Sequence, residues 1–146
     1  MTETTIKTPW HLWLVGVVAV LFNSIGVFDF VMSLAKGDAY LAGAGLTPAQ
    51  IAHYHHMPVW MTADWAVGVF GALIGSALIL LRNKLAWPML ALSLAAFLFM
   101  QVYNYVLTDG GKILGQSMAI TSAVIAGLLA LFIAYAWWMT RRGVLK

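Results

Sequence analysis

Cysteine is missing from this 146-residue chain, which excludes disulfides, thiolate metal sites and cysteine nucleophiles. Charge is nearly as scarce. Only 9% of the residues are Asp, Glu, Lys or Arg, against about 25% in soluble domains. The net charge of +3 sits at helix ends, where it reads as a topology signal and not as a nucleic-acid surface. Internal repeats and low-complexity tracts are lacking too. No nucleophilic constellation stands out, since Ser24, Ser76 and Ser93 have no histidine near them in depth. No enzyme and no nucleic-acid partner is expected.

What the chain has is apolar surface: 62% of its residues are hydrophobic, more than a soluble fold of this size can hide but not more than a bilayer can. Four stretches approach or exceed the roughly 20 apolar residues that a spanning helix needs: residues 10–33, 59–81, 85–107 and 116–139. The expected fold is all-α, a single transmembrane domain over 1–146 built as an antiparallel four-helix bundle. Pro88 falls in the first turn of the third span, where proline costs no hydrogen bond.

Basic residues set the direction. With the N-terminus inside, Lys7, Arg82, Lys84, Arg141, Arg142 and Lys146 are cytoplasmic and only Lys36 and Lys112 lie outside, as the positive-inside rule requires. Tryptophan agrees: Trp10, Trp13, Trp87, Trp137 and Trp138 mark the inner interface, and Trp60 and Trp65 the outer one. Both termini are therefore expected in the cytoplasm. A signal peptide cleaved after Ser33-Leu34-Ala35 is the rival expectation, but the apolar stretch is long for one and contains Asn23 and Asp29.

The first outer loop alone has room for structure. Gly37, Gly43 and Gly45 predict a loose first half. Thr47-Pro48-Ala49-Gln50 then reads as a helix start. Ile51, Tyr54 and Met57 recur at helical spacing before Pro58, so a short helix on the outer membrane surface is expected.

Small residues mark helix contacts in lipid. Asp64, Gly68, Gly71 and Gly75 form one stripe, and Ala119, Ala123, Ala126, Ala130 and Ala134 another. Both are expected to let backbones approach, within the bundle or across a dimer, with Asp64 pointing into the protein. Asn23, Gly26, Asp29 and Ser33 share one side of the first span, and Gln101, Asn104, Tyr105 and Thr108 one face of the third. At about 1.5 Å per residue, these groups fall in the outer half of the membrane, above an apolar inner plug.

Intramembrane carboxylates are functional suspects, so Asp29, Asp64, Asn23, Gln101 and Asn104 form the candidate ligand or proton site. For Asp64 the bland alternative is a hydrogen bond to Asn104 or Gln101 that sets helix register. His53, His55 and His56 invite a metal, though only His53 and His56 share a helical face. Haem needs facing axial histidines, and His11 lies at the opposite surface; no cofactor is expected.

The segments WHLWLVGVVAVLFNSIGVFDF, PVWMTADWAVGVFGALIGS and SLAAFLFMQVYNYVL resemble small four-helix inner-membrane proteins of proteobacteria, many of which carry the label sugar transporter. The likeness rests on Asn23, Gly26, Asp29, Pro58, Trp60, Trp65, Gly71, Gly75 and Asn104. It implies a multi-pass protein of the bacterial inner membrane and brings no catalytic residues with it. Three functions follow as expectations. The leading one is an accessory or structural component, a homo-oligomer or part of a larger membrane complex. The others are a small-solute transporter acting as a homodimer and a periplasmic-side metal or ligand sensor.

Overall fold

Apolar runs of this length satisfy their backbone polar groups by coiling, because lipid offers no hydrogen-bond partner. The computed structural model describes residues 5–146 and contains helices, with no strand among the described residues. Four of its helices are long and apolar enough to cross a membrane. They are α1 (Trp10–Lys36), α4 (Val59–Leu80), α5 (Ala86–Val102) continued by a π-helical turn (Tyr103–Leu107), and α6 (Gly110–Arg141). Two short helices, α2 (Asp38–Gly43) and α3 (Pro48–His55), fill the connection between α1 and α4.

The start of α3 lies where its capping residues place it. Thr47 Oγ1 accepts from the Gln50 N–H at 3.3 Å, and Gln50 Oε1 accepts from the Thr47 N–H at 3.0 Å. Pro48 takes the first helical position. Thr47→Ala is expected to cost about 1 kcal/mol and fray α3, seen as faster amide exchange over residues 48–55. The expected loose first half is a correction, because residues 38–43 are helical. Asp38 meets the positive end of that helix. The Tyr40 hydroxyl also donates to Asp29 Oδ1 at 2.9 Å, which ties α2 to α1.

Successive spans run in opposite directions. Gly16 lies against Ile79 and Leu80 while Gly26 lies against Val69, and Gly75 meets Leu90 while Gly68 meets Ala96. The glycine stripe thus works inside the chain, between α4 and α5. A Cβ at Gly71 would rest 3.5 Å from Ser93 Cβ, and Ser93 Oγ donates to the Gly68 carbonyl at 2.5 Å.

The alanine stripe packs within the bundle only in part: Ala119, Ala123 and Ala126 border a groove against Phe97, Leu98, Gln101 and Tyr105 of the third span. Ala123, Ala130 and Ala134 are exposed, and Ala119 and Ala126 are half-buried. The buried residues of α6 are instead Gly110 and Leu114 at its start and Leu129, Phe132, Ala136 and Met139 toward its end. Between these two buried ends the face of α6 turned to α1 is open.

The second of these ends holds the apolar core: Leu12, Ala19, Ile79, Ala86, Leu90, Phe132, Ala136 and Met139. Val144 and Leu145 cap it. The Lys146 N–H donates to the Arg82 carbonyl at 2.9 Å and the Lys84 N–H to the Lys146 carbonyl at 3.0 Å, fastening this segment over the turn between α4 and α5. His11 is hydrogen-bonded through Nδ1 to the Tyr135 hydroxyl at 2.5 Å and stacks on Trp138. Phe22 meets Phe132 one step further along.

The opposite end is irregular. The helix predicted from residue 116 begins earlier and breaks at Gly115, whose φ of 78° suits glycine. The break leaves carbonyls without helical partners, and Gln50 Nε2 donates to those of Ile113 and Leu114 at 3.3 and 3.2 Å. The third span closes in the π turn, where the Thr108 hydroxyl serves the carbonyls of Tyr103 and Asn104 at 3.0 and 3.2 Å.

Candidate functional site

Toward this irregular end α1 and α6 part company, and the space between the four spans opens into a cavity of about 550 Å³. Phe22, Gly26 and Asp29 of α1 line it, facing Asp64, Trp65 and Gly68 of α4. Ser93, Phe97 and Met100 of α5 form its back wall, and Thr121, Ile125 and Leu129 of α6 its far side. Its size lies within the range of small-molecule sites, about 300–1,000 Å³. Ile25 and Phe28 of α1 and Ile120 and Val124 of α6 line the cavity and are also 55–67% exposed. The cavity therefore opens sideways, between α1 and α6.

Two carboxylates face this space and differ in their partners. Asp29 is exposed and already accepts from Tyr40. Asp64 is half-buried, and its Oδ2 is shielded from solvent without a hydrogen-bond partner. Neither Asn104 nor Gln101 reaches it, so the register-setting pair expected for Asp64 is not formed. An unpaired buried carboxylate oxygen is costly in an apolar setting, which makes it the group on this wall most in need of a partner.

Of the other wall donors, the hydroxyls are committed and the Asn23 amide is committed in part, while the Trp65 indole N–H has no hydrogen-bond partner among the described residues. Asn23 Nδ2 donates to Ser76 Oγ at 2.8 Å, and Ser76 passes its own proton to the Ala72 carbonyl at 2.7 Å. Thr121 donates to the Ser117 carbonyl at 3.0 Å, and Ser93 to Gly68. Asn23 and Ser76 are buried at 6% and 0% exposure. Such a pair is worth most in joining α1 to α4 where no water competes.

The structure separates the remaining predicted residues from the cavity. Asn104, in the π turn, is buried against α3. There Asn104 Oδ1 and His53 Nε2 are hydrogen-bonded at 2.9 Å. Gln101 lines a shallow groove on the outside, beside Tyr105, Ala119 and Ala123. The histidines part as well, a correction to the metal expectation. His53 holds Asn104, His55 contacts Asp38 at 2.6 Å, and His56 Nδ1 is bonded to the Ala52 carbonyl at 2.6 Å. Among the described residues no three metal-ligating side chains converge.

Several cavity residues were not anticipated. Tyr40 escapes notice because its partner Asp29 lies 11 residues away across a turn. Its phenol is held above the ordinary value by the Asp29 hydrogen bond, then by desolvation and the Asp29 charge. Tyr54 on α3 is raised as well, first by burial. Trp65 reads in sequence as an interface anchor, yet it lines the cavity edge-on to Phe30, 4.9 Å between ring centres. The signal that could have found it was its place beside Asp64.

Comparison of the chain with protein-family models, curated proteins and solved structures finds no match. The site's own geometry therefore carries its functional interpretation.

Proposed function

We propose that this multi-pass membrane protein binds a small solute in the cavity between α1, α4, α5 and α6, as the binding unit of a transporter. One observation carries this reading: a solute-sized space with the Asp64 carboxylate, unpartnered, on its wall. The expectation of an accessory component leaned on the lack of a catalytic set and on two small-residue stripes as association surfaces, and of these the glycine stripe is spent on α5. The cavity moves the weight to the transporter.

The orientation we propose puts both chain ends in the cytoplasm and the cavity on the outer side of a bacterial inner membrane. Arg82, Lys84 and Lys146 belong to the end closed by the apolar core, and Arg142 lies 5.0 Å over the Trp138 ring at that same end. A basic, tryptophan-lined end suits the cytoplasmic interface. α3 then lies on the outer surface, above the cavity.

The sideways opening favours a dimer as the working unit. Of the four spans, α6 is the least buried, and its alanine face is available to a second copy or to another membrane chain. In this arrangement the accessory and transporter readings share a surface and differ in whether the cavity is used.

Asp64→Asn in the full chain, reconstituted in lipid nanodiscs, is the test. We expect solute binding by the wild type and a loss of about tenfold or more in affinity for the variant, the scale of one charge-assisted hydrogen bond. A variant that binds and transports as the wild type does would remove the mechanism.

A further inference from the structure

The cavity also discriminates between chemical classes of ligand. No Lys, Arg or His is among its lining residues, and its two charged groups, Asp29 and Asp64, are both acids. An anionic solute therefore has no countercharge there. A sugar fares little better. Each of its hydroxyls loses water on entry and needs a partner, yet the wall hydroxyls already donate elsewhere, which leaves only the Trp65 indole N–H and the second N–H of the Asn23 amide as donors for a molecule with many hydroxyls. The strongest open capacity is that of charged acceptors: the Asp64 Oδ2 that nothing reaches, and the Asp29 oxygen not taken by Tyr40. The rest is apolar and aromatic, with Phe22, Phe28, Trp65 and Phe97 around the carboxylates. Aromatic faces attract cations, and more so when water is excluded.

The way in points to the same chemistry. The lips of the opening, Ile25 and Phe28 opposite Ile120 and Val124, are apolar and exposed. In a membrane-spanning bundle that side meets lipid chains. A molecule passing these lips must itself dissolve in the bilayer.

We infer that the cavity takes a lipophilic ammonium cation, which enters from the bilayer between α1 and α6 and donates its N–H to Asp64. This rests on the cavity's being a binding site, as proposed above. Asp64 binds the charged head, the aromatic side chains surround it, and the apolar tail lies along Val69, Ala72 and Leu129 toward the core. Asp29, at the mouth and already bonded to Tyr40, contributes field but no direct contact.

Benzyldimethylammonium and its uncharged carbon isostere, isobutylbenzene, separate charge from shape. Methyl glucoside represents the sugar. Binding is measured by equilibrium dialysis against the full chain in nanodiscs, with empty nanodiscs as the blank. Saturable ammonium binding is expected, weakened about tenfold or more by Asp64→Asn and by less than about threefold by Asp29→Asn, with Asp64→Glu retaining it. Isobutylbenzene should occupy wild type and Asp64→Asn alike, which verifies that the variant keeps its cavity. Val124→Trp, which narrows the lips, should slow ammonium association, followed separately as the time course of radiolabelled ammonium uptake by rapid filtration of the nanodiscs.

Equal affinity for ammonium and isostere in the wild type overturns the cation assignment while leaving the cavity a binding site. Displacement of the ammonium by methyl glucoside overturns it in favour of a sugar. A loss with Asp29→Asn as large as with Asp64→Asn removes Asp64 as the contact. Unchanged association in Val124→Trp removes the lateral route. Failure of every probe to bind overturns this inference together with the function it rests on.

Discussion

Gly75→Leu is expected to unfold the α4–α5 pair, costing about 3 kcal/mol or more. A Cβ at Gly75 would lie 2.7 Å from Leu90 Cγ and 3.1 Å from the Leu90 backbone nitrogen. Leu90 is fully buried, so its side chain cannot swing into open space, and the backbone behind it is held by its own helix. Interiors packed this closely respond to one added methyl and cannot absorb four carbons. The measurement is a denaturation series in mixed micelles, with Gly127→Leu as the control. Nothing lies within 4 Å of a Cβ at Gly127, so that variant should unfold with the wild type. If Gly75→Leu kept its stability and lost only an oligomer, the stripe would face another chain, contrary to its contacts here.

Asn104→Leu comes next in expected size. His53 and Asn104 are 9% and 6% exposed and hold each other across the join between α3 and the π turn. Removing one partner leaves the other's polar atom buried and unsatisfied, a cost of about 1–3 kcal/mol. The loss should stay local. α3 also rests on the carbonyls freed at Gly115 through Gln50, and the spans have their own contacts. Amide exchange over residues 48–57 should accelerate about ten- to a hundredfold while that of α4 and α5 holds steady. Gln101→Leu, on the outer groove, should change neither. Gly110 adds a check of the same join, since a Cβ there would meet the Asn104 carbonyl at 2.6 Å and the His53 ring at 2.9 Å.

Read along the chain, hydropathy alone determined that the protein is helical and that four helices can cross a membrane, because span length and apolarity are properties of consecutive residues. Capping chemistry is equally local, so Thr47, Pro48 and Gln50 announced α3. The start of the fourth helix was less legible: apolarity placed it at residue 116, whereas the helix begins at Gly110 and is interrupted at Gly115.

Which polar groups meet was decided by tertiary structure. Whether Asp64 has a partner depends on how α4 is rotated against α1 and α5, and that rotation is set by the close packing of Gly68, Gly71 and Gly75 against α5. The pairing of Asn104 with His53 depends on how α3 folds back against the end of the third span, 51 residues on, which spacing along either helix cannot anticipate. The cavity itself exists because α6 holds α1 near His11 and Phe22 and leans away above them. A splay of this kind has no signature in sequence order, since it follows from the summed packing of four helices at their opposite end.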